Sequence, residues 1–173
     1  MKDVLEFWFQ TLEPRNWYAK SDELDARIKQ RFEATYHRII AGETAHWRDT
    51  AEGRLAEIIV LDQFARNMFR GSAASFSADP LALALAQEAV RCGDDSKLED
   101  VKQAFVYMPY MHSESPRIHE QAIKLFEDLP NLEFEIKHKA VIDRFARYPH
   151  RNEILGRTST ADEIEWMKTN KGF

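Results

Sequence analysis

The chain has 173 residues, 44% hydrophobic and 31% charged, which excludes wholesale disorder and leaves enough length to bury a core without a metal or disulfide staple. The formal net charge of -5 argues against general nucleic-acid binding, although local fields still allow a basic pocket to hold one small anion. The lone cysteine, Cys92, rules out an intramolecular disulfide and suits a reducing cytoplasm, and no apolar stretch reaches bilayer-spanning length.

Helical spacing recurs along the chain, and no segment alternates cleanly between apolar and polar residues, so the expected fold is all-α. A short helix is expected from Asp3 to before Pro14, burying Leu5, Trp8 and Phe9. Its apolar run is interrupted by acids and lacks the core of a signal peptide. Ser21 is an N-cap candidate for a helix carrying Leu24, Ile28, Phe32, Ile39 and Ile40, with Gly42 as its stop. Thr50 can cap the next helix. There Leu55, Ile58, Ile59, Val60, Leu61, Phe64 and Met68 occupy nearly every side, as in a buried helix.

Gly71 to Ser77 reads as a loop. Asp79 as N-cap and Pro80 in the first turn then open a helix that ends at Gly93, with Cys92 expected to be a buried, structural residue. A helix from Leu98 to about Tyr107 should be limited by Pro109. Ser115-Pro116 opens another, with Ile118, Ala122, Leu125 and Phe126 on its apolar face. Pro130-Asn131 leads into a helix bearing Leu132, Phe134, His138, Val141, Ile142 and Phe145, which must stop by Tyr148 because Pro149 follows. Thr160 and Glu163 form a capping box for a terminal helix. Seven or eight helices packed as antiparallel pairs are predicted, in one domain spanning 1-173.

Two nearly identical strings stand out, Asp62-Gln63-Phe64-Ala65-Arg66 and Asp143-Arg144-Phe145-Ala146-Arg147. Their separation of 143 − 62 = 81 positions is not a multiple of the roughly 34-residue tetratricopeptide unit. On a helix Asp62, Arg66 and Arg70 fall at i, i+4 and i+8, near one line, and Asp62 shares the stripe of Leu55, Ile58 and Ile59. A carboxylate there must be paired, and Arg66 is the nearest partner. Around the second copy, Arg144, Arg147, His150, Arg151 and Arg157 outnumber Asp143 and Glu153. This surplus points to a bound anion, which guanidinium forks suit, or to a buried ion-pair network.

His112, in the junction Met111-His112-Ser113-Glu114, and His150, after Pro149, are candidate general acids or bases, whereas His138 on an apolar stripe is the more ordinary core histidine. His112, Glu114, His138, His150 and Asp62 are plausible metal ligands by type, but no pair has the i, i+4 histidine spacing of a helical zinc site and the arginines oppose a cation. No metal or cofactor is expected. Ser113 lacks the glycines of a nucleophile elbow, and no glycine-rich phosphate loop is present.

Leu61-Asp62-Gln63-Phe64-Ala65-Arg66-Asn67, Met111-His112-Ser113-Glu114 and Arg144-Phe145-Ala146-Arg147-Tyr148-Pro149-His150-Arg151-Asn152, with Leu155-Gly156-Arg157-Thr158-Ser159-Thr160, together resemble the bacterial domain of unknown function numbered 924. The resemblance covers essentially the whole chain. It implies an all-helical, tetratricopeptide-like fold, no established activity, and motif residues at Asp62, Gln63, Arg66, Asn67, Arg70, His112, Ser113, Glu114, His138, Arg144, Arg147, His150, Arg151, Asn152, Gly156 and Arg157. Ala146 departs from the family's usual glycine, and within a helix alanine should be harmless or stabilising.

The functional expectation is a cytoplasmic protein binding a small phosphate- or carboxylate-bearing ligand, a hydrolase or transferase if it is an enzyme. Arg66, Arg147 and Arg151 would hold the anion, Asp62 and Glu114 would orient them, and His112 or His150 would carry a proton. Asn67, Arg70, Ser113, His138, Arg144, Asn152 and Arg157 complete the candidate ligand-binding set. The rival is a non-enzymatic helical adaptor for a peptide or protein partner, favoured if the arginines are sealed in ion pairs beside a groove of exposed aromatics. In a third reading, the motifs only stabilise the fold.

Overall fold

The computed structural model describes residues 1–170 and 172, and the described residues form helices and turns with no strand. The helical segments are α1 (Lys2–Glu6, running on through a π-helical stretch Phe7–Thr11), α2 (Asp22–Ile40) and α3 (Ala51–Ile58). Then follow α4 (Asp79–Arg91), α5 (Asp100–Met111), α6 (Pro116–Leu125), α7 (Leu132–Phe145) and α8 (Ala161–Met167). α3 continues without a break through a second π-helical stretch, Ile59–Phe64, and a last turn, Ala65–Met68. Successive helices from α3 to α7 pack against one another. Four residues join α5 to α6 and six join α6 to α7, so the chain must reverse at each connection and the helices pair antiparallel.

The capping residues act as expected. Ser21 accepts from Leu24 N–H and Thr50 from Gly53 N–H, while Thr160 and Glu163 complete a capping box at α8. Gly42 and Gly93 follow their helices in the left-handed conformation that only glycine adopts without strain. Phe7, Trp8, Phe32, Phe64 and Phe105 form an aromatic cluster, with Phe32 and Phe64 ring centroids 4.6 Å apart and Trp8 and Phe105 5.7 Å apart. It ties α1, α2, α3 and α5 together, and Phe64 anchors the π-helical stretch that also carries Asp62.

Several expectations are corrected. α5 runs through Pro109 to Met111. The proline forfeits a single hydrogen bond, the one its absent N–H would make to Phe105 four residues back. The start of α4 shifts by one, with Ala78 as cap and Asp79 inside the helix, because the Asp79 carboxylate is drawn to arginines instead of to its own backbone. Cys92 is exposed, its thiol 3.3 Å from Glu88. Phe134 is 50% exposed rather than part of the apolar face of α7.

Ala146 is not inside a helix. It is the C-cap of α7 with φ 53°, a left-handed conformation in which an L side chain costs about 1–2 kcal/mol. Ala146→Gly therefore relieves strain, offset in part by the larger entropy of a glycine in the unfolded chain. Chemical denaturation should show a gain of about 0.5–1 kcal/mol, and an unchanged or lowered midpoint would show that the turn is not strained.

Candidate functional site

The π-helical stretch of α3 places Asp62 at the centre of the molecule, 0% exposed. A carboxylate at this depth needs several partners, and it has them. Arg66 Nη1 lies 3.3 Å from Asp62 Oδ1 and donates to the Asp62 carbonyl at 2.6 Å. Gln63 Nε2 donates to Oδ2 at 2.6 Å, and His112 Nδ1 lies 2.8 Å from Oδ1. Burial raises the carboxyl pKa, but the charge of Arg66 and the hydrogen bonds from His112 and Gln63 prevail and hold it well below the usual range.

An ionised Asp62 can only accept, which assigns the Nδ1 proton to His112 and leaves Nε2 with its lone pair. Burial lowers the His112 pKa, with Asp62 opposing and Arg66 adding to the fall, so the imidazole is neutral at pH 7. Such an imidazole, oriented by a carboxylate, is the ordinary form of a general base.

Arg66 grips Asp79 with both terminal nitrogens, at 2.9 and 3.0 Å. Asp79 in turn reaches Arg151 Nη1 at 3.4 Å, and Arg151 Nη2 donates to the His112 carbonyl at 3.1 Å. The Arg151 guanidinium lies between the rings of Phe76 (4.6 Å) and Tyr148 (4.5 Å) and is 6% exposed. Beside this network lies a cleft of about 510 Å³ between the start of α4, the end of α5 and the Pro149–Arg151 turn, lined by Asp79, His112, Ser113, Glu114 and Arg151 together with Phe76, Leu83, Pro109 and Leu155.

The other candidates lie elsewhere. Asn67 and Arg70 both bond Asp25 of α2, Asn67 at 2.7 Å and Arg70 Nη2 at 2.9 Å, beside a separate surface concavity of about 430 Å³. Arg70 leaves the line of Asp62 and Arg66 because α3 ends at Met68 and the π-helical stretch has already rotated the register. Arg147 holds Glu163 bidentately (2.6 and 2.8 Å) and donates to Thr158 O at 3.0 Å. Arg157 holds Glu114 bidentately (2.6 and 2.9 Å), and Asn152 bridges Arg157 and Glu163. Arg144 pairs with Asp162 at the surface, and Asp143 bonds Lys139 at 2.7 Å, so the second string has no buried acid.

The expected surplus of cations is thereby corrected. Its carboxylates come from distant parts of the chain: Asp79, Glu114, Asp162 and Glu163. Asp79, the centre of the arginine pair, had the appearance of a helix cap in the sequence. The buried pair His119–Glu135 (2.6 Å) also went unrecognised, although it supports the site by donating from His119 Nε2 to Ser113 O at 2.8 Å.

His138 stacks between His112 and Tyr148 and bonds Phe134 O at 2.7 Å, and His150 packs against Tyr148 and the backbone at Gly172. Among the described residues no group of three or more His, Cys, Asp or Glu is arranged to hold a metal ion, and no helix is long and apolar enough to cross a membrane.

An all-helical protein built around a carboxylate-imidazole-arginine network is the class defined by this fold and site. The model of a bacterial protein family of unknown function, DUF924, matches residues 4–171, and the chain belongs to that family. The solved structure of a protein of unknown function from Agrobacterium tumefaciens is similar, with 33% identity, a TM-score of 0.94, and coverage of 98% of this chain and 97% of that one. No curated protein matches.

Burial lowers the pKa of His138 to about 3 and that of His150 to about 4, aided in the second by Arg151. Both then contribute stability fully above the ordinary histidine value of about 6.5 and lose it as pH falls, because the unfolded chain binds protons first. The melting temperature should drop steadily from pH 7 to 4.5, and His138→Gln should flatten the slope. A melting temperature independent of pH over this range would contradict the assignment. Arg147→Ala should lower stability, as Glu163 loses a charged, bidentate partner. Equilibrium denaturation measures that loss.

Proposed function

We propose that the cleft beside His112 binds a small anionic ligand and that His112, oriented by Asp62, serves as a general base in hydrolysis or group transfer. The carrying observation is the Asp62–His112 contact at 2.8 Å in a cleft that also presents Arg151. In this reading Nε2 of His112 takes a proton from a water or hydroxyl in the cleft, and the imidazolium so formed is stabilised by Asp62. Arg151 holds the anion. Arg66 positions Asp79 and Asp62, and Glu114 with Arg157 secures the neighbouring turn. Arg147, Asn152, Arg144, Arg70 and Asn67 serve the fold, while His138 and Tyr148 pack behind the imidazole and the guanidinium. A single cysteine suits the reducing cytoplasm, which is the proposed location.

The adaptor reading draws on one observation, that most motif arginines are sealed in ion pairs. The strongly exposed aromatics it also needs, Tyr18 and Phe134, lie outside the cleft.

Nitrogen NMR on protein labelled at histidine tests the base. His112 should show a protonated Nδ1 and an unprotonated Nε2 at pH 7, and Asp62→Asn should abolish that tautomer preference. Titration with acetate or with inorganic phosphate should, for at least one of the two, move the His112 Nε2 resonance in the wild type and not in Arg151→Gln. A His112 resonance indifferent to both anions, or an Nε2–H tautomer in the wild type, would sink the reading.

A further inference from the structure

Resting on that reading, we infer that the ligand class is a monocarboxylate with a short apolar body, a small acyl or aryl acid or its derivative, rather than a phosphate. Two observations carry this. The first is the balance of charge. Around the cleft, the Asp62, Asp79 and Glu114 carboxylates stand against the Arg66, Arg151 and Arg157 guanidiniums in close pairs. Among the described residues of this network no cation is in excess. Arg66 and Arg157 each have two charged hydrogen bonds to a carboxylate, and Arg151 alone has a long contact, at 3.4 Å.

Arg151 Nε–H is moreover buried with no acceptor among the described residues. Buried N–H groups rarely lack an acceptor, and one that does points to a missing one. Nε and Nη2 share an edge of the guanidinium plane, and in the proposed complex a carboxylate oxygen supplies the acceptor that Nε lacks, beside the His112 carbonyl that Nη2 already holds. The Ser113 hydroxyl borders the same cleft. Its oxygen accepts from Ser115 N–H at 3.2 Å, leaving its proton to donate to the second carboxylate oxygen. The guanidinium edge and the hydroxyl offer donors to the two oxygens of one carboxylate, and a monoanion adds the least charge to a set of pairs that is already balanced. A phosphate dianion would bring two charges and a third oxygen into a space bordered by Asp79 and Glu114.

The second observation is the character of the remaining wall. Pro80, Leu83, Pro109 and Leu155, together with the Phe76 ring on which the guanidinium rests, make up the apolar part of the lining. They offer an apolar surface to whatever extends from the carboxylate, and such contact strengthens binding with each methylene it removes from water.

The test is a titration of the full chain with acetate, butyrate, benzoate, inorganic phosphate and phenyl phosphate, followed by the His112 and Arg151 side-chain nitrogen resonances. Butyrate and benzoate should bind about tenfold or more tightly than acetate, consistent with burial of two methylenes or a ring. Leu83→Glu, a change in a half-buried wall residue, should erase that advantage while leaving the His112 tautomer intact.

Phenyl phosphate binding as tightly as benzoate would overturn the carboxylate preference and leave the anion cleft standing. Equal affinities for acetate, butyrate and benzoate would overturn the apolar wall. If none of the five anions moves either resonance, the cleft reading itself fails together with this one.

Discussion

Removing one carboxylate from water is the constraint on which the rest of this structure depends. An isolated buried Asp62 would carry a penalty of several kcal/mol or give up its charge. The chain instead recruits Arg66 and Gln63 from the same helix and His112 from the end of α5. Each recruit then needs a partner of its own. Arg66 brings in Asp79, which fixes the start of α4, and Asp79 brings in Arg151 from the turn after α7. A single buried charge thus links α3, α4, α5 and the Pro149–Arg151 turn, and the cleft is the space where those elements fail to close over one another.

A further set of pairs stiffens the far wall. Glu114 accepts from Tyr148 N–H and from both terminal nitrogens of Arg157, while Glu163 joins Arg147, Asn152 and the cap of α8. His119 reaches both the Ser113 carbonyl and, at 3.3 Å, the Tyr148 hydroxyl, and its other ring nitrogen lies against Glu135, whose carboxyl pKa burial raises. The junction bearing His112 and Ser113 is therefore held from below by an imidazole and from the side by a guanidinium pair. Those supports hold the His112–Ser113 backbone against the turn that follows α7.

Helix existence, the caps at Ser21, Thr50 and Thr160, and the burial of Asp62 were legible in the sequence, because each depends on neighbours within a few positions. The partners of the arginines were not. Counting charges within the second string suggested an excess, since Asp79, Glu114, Asp162 and Glu163 lie up to 72 residues from the arginines they join. Asp143, which looks equivalent to Asp62, faces Lys139 at the surface because α7 carries it on its outer side. Pro109 and Ala146 misled for a different reason. Local propensity disfavours both conformations, and tertiary packing outweighs costs of a few kcal/mol.

Stability alone gives a poor account of the central network. Buried ion pairs of this kind are often no better than well-packed apolar residues of the same volume, because desolvation consumes most of the attraction. Asp62, Arg66 and Asp79 are therefore a costly way to join three helices that the aromatic cluster around Phe64 already holds. What apolar residues could not supply is an imidazole with its proton fixed on Nδ1 and its lone pair on Nε2. That polarity requires an acceptor at Nδ1 that stays ionised in the interior, and Asp62 stays ionised only because Arg66 is beside it. Arg66 in turn stays in place because Asp79 holds both its terminal nitrogens, which leaves Arg151 with the weaker share of Asp79 and the cleft with its least satisfied cation. The order of these dependencies runs from the buried acid outward to the cleft, so the chemistry available at its surface is fixed by the charge at its centre.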